Sequence, residues 1–154
     1  MTKLKEGNKA PGFISRDQHG NTISLDDYKG HKVILYFYPK DNTPGCTAEA
    51  CNLRDNFEAL LDKGFKIIGV SADSLKSHQN FTEKYNLPFP LIPDTDKEII
   101  NKYEVWGPKK FMGREYEGIN RMTFVISEEG KIEKIFEKVK TKDHTNQILD
   151  SYKD

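Results

Sequence analysis

The run Lys32-Val33-Ile34-Leu35-Tyr36-Phe37-Tyr38, stopped by Pro39, constrains the fold more than any other stretch of the chain. It is apolar at nearly every position and rich in β-branched and aromatic residues, so as a strand it has no wet side and must be covered on both faces. The period then changes. From about 44 to 63, apolar residues fall at Ala50, Leu53, Phe57, Leu60 and Leu61, the 3.6-residue rhythm of an amphipathic helix, and Gly64 is placed to end it. Residues 65–71, Phe-Lys-Ile-Ile-Gly-Val-Ser, read as a second buried strand. A capped helix from Asp73 or Ser74 comes next, with Leu75, His78, Phe81 and Tyr85 on one side. Strand, helix, strand, helix predicts a parallel βαβ unit.

The flanking segments add smaller elements. Phe13, Ile14, Ile23 and Leu25 alternate around the turn signal His19-Gly20-Asn21, predicting an N-terminal β-hairpin at an edge. Leu91-Ile92 suits a short strand and Lys97 to Tyr103 a short helix. Residues 106–120, with Trp106, Pro108, Phe111 and Tyr116 in irregular order, read as an aromatic-lined loop. Residues 122–126 and 131–136 flank Glu128-Glu129-Gly130 as a hairpin, and Ile148, Leu149 and Tyr152 fit a closing helix. The expected architecture is α/β, with a mixed central β-sheet covered by helices on both faces. With 154 residues and no repeat or linker, one domain over 1–154 is expected.

Charged residues make up 31% of the chain and cancel to zero net charge, so no basic field points to nucleic acid or an acidic membrane. No apolar run approaches the roughly 20 residues of a membrane span, and the first residues lack a signal-peptide core. A cytoplasmic protein is expected. His19, His31, His78 and His144 are scattered, none with metal-ligand spacing to a cysteine, and phosphate-loop and dinucleotide motifs are missing, so neither metal nor cofactor is expected.

The only two cysteines, Cys46 and Cys51, lie five residues apart just after Pro39. Two are too few for a disulfide framework, and in reducing surroundings a disulfide between them would be transient. With Thr43 as N-cap and Pro44 at the first helical position, Cys46 falls in the first turn, where unpaired backbone N–H groups and the helix dipole meet a thiolate nucleophile. At 100° per residue Cys46 sits within the Ala50, Leu53, Phe57 and Leu61 stripe, whereas Cys51 lies to one side. Cys46 should be sheltered and Cys51 more peripheral. Five residues along an ideal helix separate Cα atoms by ~8.6 Å, beyond the ~7 Å limit of a disulfide. The pair closes only if the helix start unwinds.

At these residues the chain resembles a peroxiredoxin of the bacterioferritin comigratory protein or Q branch. The signature Pro-x-x-x-Thr-x-x-Cys stands at Pro39, Thr43 and Cys46, and the branch's second cysteine matches Cys51. The likeness extends through Tyr36 to Pro39, Cys51-Asn-Leu-Arg-Asp55, Val105-Trp-Gly107 and Arg121-Met-Thr-Phe-Val-Ile126. It implies a thioredoxin-like fold in which Cys46 reduces hydrogen peroxide or an organic hydroperoxide and becomes a sulfenic acid. By the same resemblance, Cys51 resolves that acid as an intramolecular disulfide, and thioredoxin or a similar dithiol protein reduces the disulfide. Arg121 would hold the thiolate and peroxide oxygens, Thr43 would hydrogen-bond to the peroxide, Pro39 would shield the site, and the protein would be a monomer.

Plainer readings of the same residues are a core thiol at Cys46, a surface thiol at Cys51, a helix cap at Thr43 and a solvated strand-end arginine at Arg121. Glu49 and Arg54 read as solvated or paired helix residues, otherwise as candidates to support the catalytic groups from behind, and Trp106, Phe111 and Tyr116 as loop packing or an apolar rim for organic peroxides. Two other functions compete. A general thiol-disulfide oxidoreductase is disfavoured by the wide cysteine spacing, and a non-catalytic redox sensor would need a partner that nothing in the chain names.

Overall fold

The computed structural model describes residues 2–153. In chain order, β1 (Ile14–Arg16) and β2 (Thr22–Ser24) form the N-terminal hairpin, and a 3₁₀ turn at Leu25–Tyr28 leads into β3 (Lys32–Phe37). Then come α1 (Pro44–Asp55), α2 (Phe57–Asp62), β4 (Phe65–Ser71), α3 (Leu75–Tyr85), β5 (Leu91–Pro93) and α4 (Glu98–Lys102). β6 (Trp106–Phe111), β7 (Arg114–Ile119), β8 (Met122–Ile126), β9 (Ile132–Phe136) and α5 (His144–Asp150) complete the fold.

The central sheet has the order β5-β4-β3-β8-β9. Its first three strands are parallel, and β8 and β9 are antiparallel to their neighbours, so the sheet is mixed as expected. The apolar run at β3 is explained by its central place. Val33, Leu35 and Phe37 point into one core with Phe13, Ile23, Ile99, Ile100 and Tyr103 from the hairpin side and α4. Ile34, Tyr36 and Tyr38 point into the other, with Cys46, Leu53, Leu60, Phe81 and Ile148 from α1, α2, α3 and α5. Helices therefore cover both faces, with most of them on the Cys46 side. Gly69 on β4 lets the sheet accept this packing. A Cβ there would stand 2.7 Å from Leu91 Cδ2 and 2.9 Å from Tyr36 Cζ, both fully buried. Gly69→Ala is expected to lower stability by about 1–3 kcal/mol in urea unfolding, the usual cost of overpacking; an unchanged midpoint would contradict this packing.

Two predicted elements are corrected. The helix expected over 44–63 is broken at Asn56 (φ −110°, ψ 14°), whose side-chain amide donates to the Asn52 carbonyl at 2.8 Å. The break rotates α2 relative to α1, so Leu60 is fully buried and Leu61 only half-buried. Residues 106–120 are not a loop. They form the antiparallel pair β6–β7, closed by a two-residue turn with positive φ at Met112 (50°) and Gly113 (79°), the geometry that matches the twist of a hairpin. Trp106 packs half-buried on the core while Tyr116 is 49% exposed, so these two do not form one apolar rim; the Phe111 side chain lies outside the described residues. No helix among the described residues is long and apolar enough to cross a membrane.

Candidate active site

The site forms where β3 ends. Pro39 is half-buried in the bend after the strand, Asn42 takes a left-handed conformation (φ 58°), and α1 begins with Pro44 in its first turn. Thr43 occupies the N-cap position with extended backbone, but its side chain does not cap the helix. Its hydroxyl donates instead to the Lys40 carbonyl at 2.8 Å, which leaves the oxygen lone pairs as acceptors. One turn on, Cys46 is 2% exposed and lies on the buried face with Ala50 and Leu53. Cys51 is half-buried on the same unbroken helix, and both cysteines are free thiols. Burial, with Asp55 adding to it and Arg54 opposing, pushes the Cys51 thiol above its ordinary value.

Arg121 reaches the sulfur from the neighbouring strand. Met122 of β8 pairs with Phe37 of β3, so the residue just before β8 stands beside the end of β3, where the cysteine loop begins. Its Nη2 donates to Cys46 Sγ at 3.2 Å, and its Nη1 donates to Glu49 Oε1 at 2.6 Å. Gly45 makes room, since a Cβ there would lie 3.2 Å from Nη2. Burial works against the guanidinium charge, yet the Glu49 and Cys46 partners more than offset it and hold the pKa above its ordinary value. The Glu49 side chain is completely buried; burial raises its pKa from 4.5 to about 7, against the pull of Arg121. Lys109 of β6 brings a second cation near. Its Nζ donates to the Ile119 carbonyl at 2.8 Å, and burial, then the Arg121 charge, lower its pKa while Cys46 raises it.

A second buried network fixes the loop from the other side. Asp41 Oδ1 accepts from Tyr38 Oη at 2.6 Å, and Oδ2 accepts from Ser77 Oγ at 2.8 Å and His78 Nδ1 at 2.6 Å. The Asp41 N–H donates to Asp73 Oδ2 at 2.8 Å, and His78 Nε2 lies 3.1 Å from the Ile92 carbonyl. Asp41, Asp73 and His78 are close enough to suggest a cation site, but these internal hydrogen bonds already engage an oxygen or nitrogen of each.

The structure thus brings Arg121, Cys46 and Thr43 to one end of the sheet, with Pro39 in the preceding bend and Cys51 a turn and a half farther along α1. Glu49, expected to be solvated or paired, is paired and also wholly buried; positions 46, 49, 50 and 53 share one helical face, which was the available signal. Arg54 is a structural link, pairing with Asp55 and donating to the Tyr85 carbonyl at 2.8 Å. Lys109 and Asp41 carried no signal in the sequence, and His78 only that of its packed helix face, because the partners that join them to the site come mostly from other elements.

A buried thiol held by a guanidinium at a helix start, on this sheet, defines the class of protein. Residues 7–135 match the AhpC/TSA family, and the chain belongs to that family. Within it, the chain is similar to Peroxiredoxin Bcp of Bacillus subtilis, at 49% identity over 98% of this chain and 96% of the relative. It is similar also to Peroxiredoxin Bcp of Escherichia coli, at 43% identity over 100% and 99% of the two chains. Among solved structures, Peroxiredoxin Q of Xanthomonas campestris superposes with a TM-score of 0.84 at 35% identity, covering 97% of this chain and 95% of that one. The bacterioferritin comigratory protein of the same organism, studied for alkyl peroxide reduction in trapped intermediate and ligand complexes, gives 0.84 at 34% identity over 98% and 96%. This chain is accordingly a thiol-dependent peroxidase with a thioredoxin-like fold.

Proposed function

We propose that Cys46 is the peroxide-reducing nucleophile and Cys51 the thiol that resolves it. The observation that carries this reading is the Arg121 Nη2 donor at 3.2 Å from Cys46 Sγ, at the start of α1. The thiolate attacks one peroxide oxygen, the O–O bond breaks, and the other oxygen leaves as alkoxide or hydroxide and takes a proton from water. Arg121 donors aimed at the sulfur and the incoming oxygens favour the charge that develops during this step. Thr43 Oγ1, with its proton committed to Lys40, accepts from the peroxide O–H, and Pro39 limits water access. The product is a sulfenic acid at Cys46, which the Cys51 thiol attacks to give a disulfide and water.

Hydrogen peroxide and small organic hydroperoxides are the substrates in this reading, and a dithiol protein such as thioredoxin reduces the disulfide. The protein works as a one-domain monomer in the cytoplasm. Intact-mass measurement after one equivalent of peroxide tests the pairing: loss of two hydrogens is expected, and a lasting added oxygen in the wild type would remove Cys51 as resolver. Cys51→Ala should still gain the oxygen at Cys46 and stall in cycling with thioredoxin, its reductase and NADPH. Efficient insulin reduction without peroxide loss would favour a general oxidoreductase instead.

A further inference from the structure

Glu49 stands between the two cysteines on α1, so unwinding that joins Cys46 to Cys51 must carry it out of the core. In its folded place the carboxyl is completely buried and its two oxygens are treated unequally. Oε1 accepts from Arg121. Oε2 has no hydrogen-bond partner among the described residues and lies 3.6 Å from His144 Nε2. The neighbours of His144 fix its tautomer. Gln147 Nε2 donates to the Lys138 carbonyl, so Gln147 Oε1 is the acceptor for the Lys140 N–H and for His144 Nδ1–H at 2.8 Å. His144 Nε2 therefore carries the ring lone pair and accepts from the Thr123 hydroxyl at 2.8 Å. A carboxylate oxygen facing a lone pair in a dry core has no donor of its own, so only Arg121, through Oε1, opposes the cost of burying the charge, whereas the neutral carboxylic acid carries no such cost and no repulsion from the ring nitrogen.

We propose that Glu49 is a positioning residue that governs when α1 releases Cys46: protonated, it stays in the core and keeps the helix wound, and losing its proton loosens the segment between the cysteines. The link from loosening to disulfide formation rests on the roles proposed above for Cys46 and Cys51. The groups facing Glu49 are Arg121 before β8, His144 on α5, Tyr36 on β3 and Cys46 on its own helix. Burial pulls His144 down to about 4, so its ring is neutral above that, and burial with the Glu49 charge holds Tyr36 well above the ordinary phenol range. Neither changes charge between pH 6 and 8. Burial raises the Glu49 carboxyl to about 7, and the unwound segment returns it to its ordinary 4.5. Between those values the wound form holds more protons than the unwound form, so its stability falls as pH rises.

The expected effect is an α1 opening about tenfold more populated at pH 8 than at pH 6. Hydrogen exchange of the amides of residues 47–53, corrected for intrinsic rate and followed in the full reduced chain without peroxide, reads it directly. Cys46→Ser, which removes the thiol, should keep the tenfold change. Glu49→Gln in the Cys46→Ser background should abolish it, since the amide can still accept from Arg121 and is uncharged at every pH. A pH dependence that survives Glu49→Gln, or disappears with Cys46→Ser, overturns the proposal. An infrared carbonyl band of a buried carboxylic acid in the wild type at pH 6, lost by pH 8, is the second expected result, and its absence at pH 6 also overturns it. Both readouts are independent of peroxide chemistry, so a wild type that keeps its added oxygen would remove Cys51 as resolver and leave this pH dependence to stand or fall alone.

Discussion

Cys46→Ser is expected to abolish peroxide consumption, by at least about 10³-fold, the scale on which removal of an enzyme nucleophile acts. The fold should be untouched. A serine hydroxyl nearly fills the volume of the thiol, and the Arg121 donor 3.2 Å away finds an oxygen in place of sulfur. The polarisable anion is lost, because a hydroxyl does not ionise at neutral pH. Peroxide loss coupled to NADPH through thioredoxin and its reductase, beside far-ultraviolet circular dichroism, separates the two quantities. Wild-type turnover in Cys46→Ser would defeat the assignment of the nucleophile.

Arg121→Ala should damage both rate and stability. Removing a donor aimed at developing charge typically lowers a rate about 10²–10³-fold. The same change strands Glu49, whose carboxyl is completely buried and whose Oε1 has Arg121 as its partner at 2.6 Å. Breaking a buried pair from one side costs about 3–5 kcal/mol. The loss depends on pH. Arg121 lowers the Glu49 pKa against burial, so in its absence the carboxyl titrates higher still, and the variant loses more stability at pH 8 than at pH 6. Arg121→Met combined with Glu49→Gln removes both charges and is expected to recover most of the stability and none of the rate. Recovery of the rate would show that the guanidinium acts only through packing.

The parts of the fold legible in the chain were those set by local period and by burial on two faces. β3, β4 and α3 appear within a residue or two of where their patterns put them, because each is long, apolar and bounded by its own stop signal. The break at Asn56 was hidden, since apolar spacing carries no trace of a side-chain amide that competes for the Asn52 carbonyl. β6 and β7 were hidden for another reason. Gly107, Pro108 and Gly118 interrupt the alternation, and the outer residues of β7 are polar and exposed, so the hairpin offered no period to detect. At the site, the burial of Cys46 was legible from helix phase alone. Arg121 was not, because its meeting with Cys46 depends on the register of β3 with β8, and only the family resemblance pointed to it. Glu49 was legible only as a solvated or paired residue that could support the site, because the partner that fixes its role lies 72 residues away.

The interruption at Asn56 also sets how far a local melting can spread. Helical order propagates cooperatively, so a continuous helix from Pro44 to Asp62 would tend to dissolve as one unit once its first turn opened. Asn56 divides it into two cooperative units, and Leu60 moors the second in the core. Upstream, Asp41 is held by Tyr38, Ser77 and His78, so the chain is moored there as well. In the proposed cycle, the excursion that would bring Cys46 to Cys51 is therefore confined between two fixed posts, and α1 would rearrange at each turnover while the sheet beneath it stays in place.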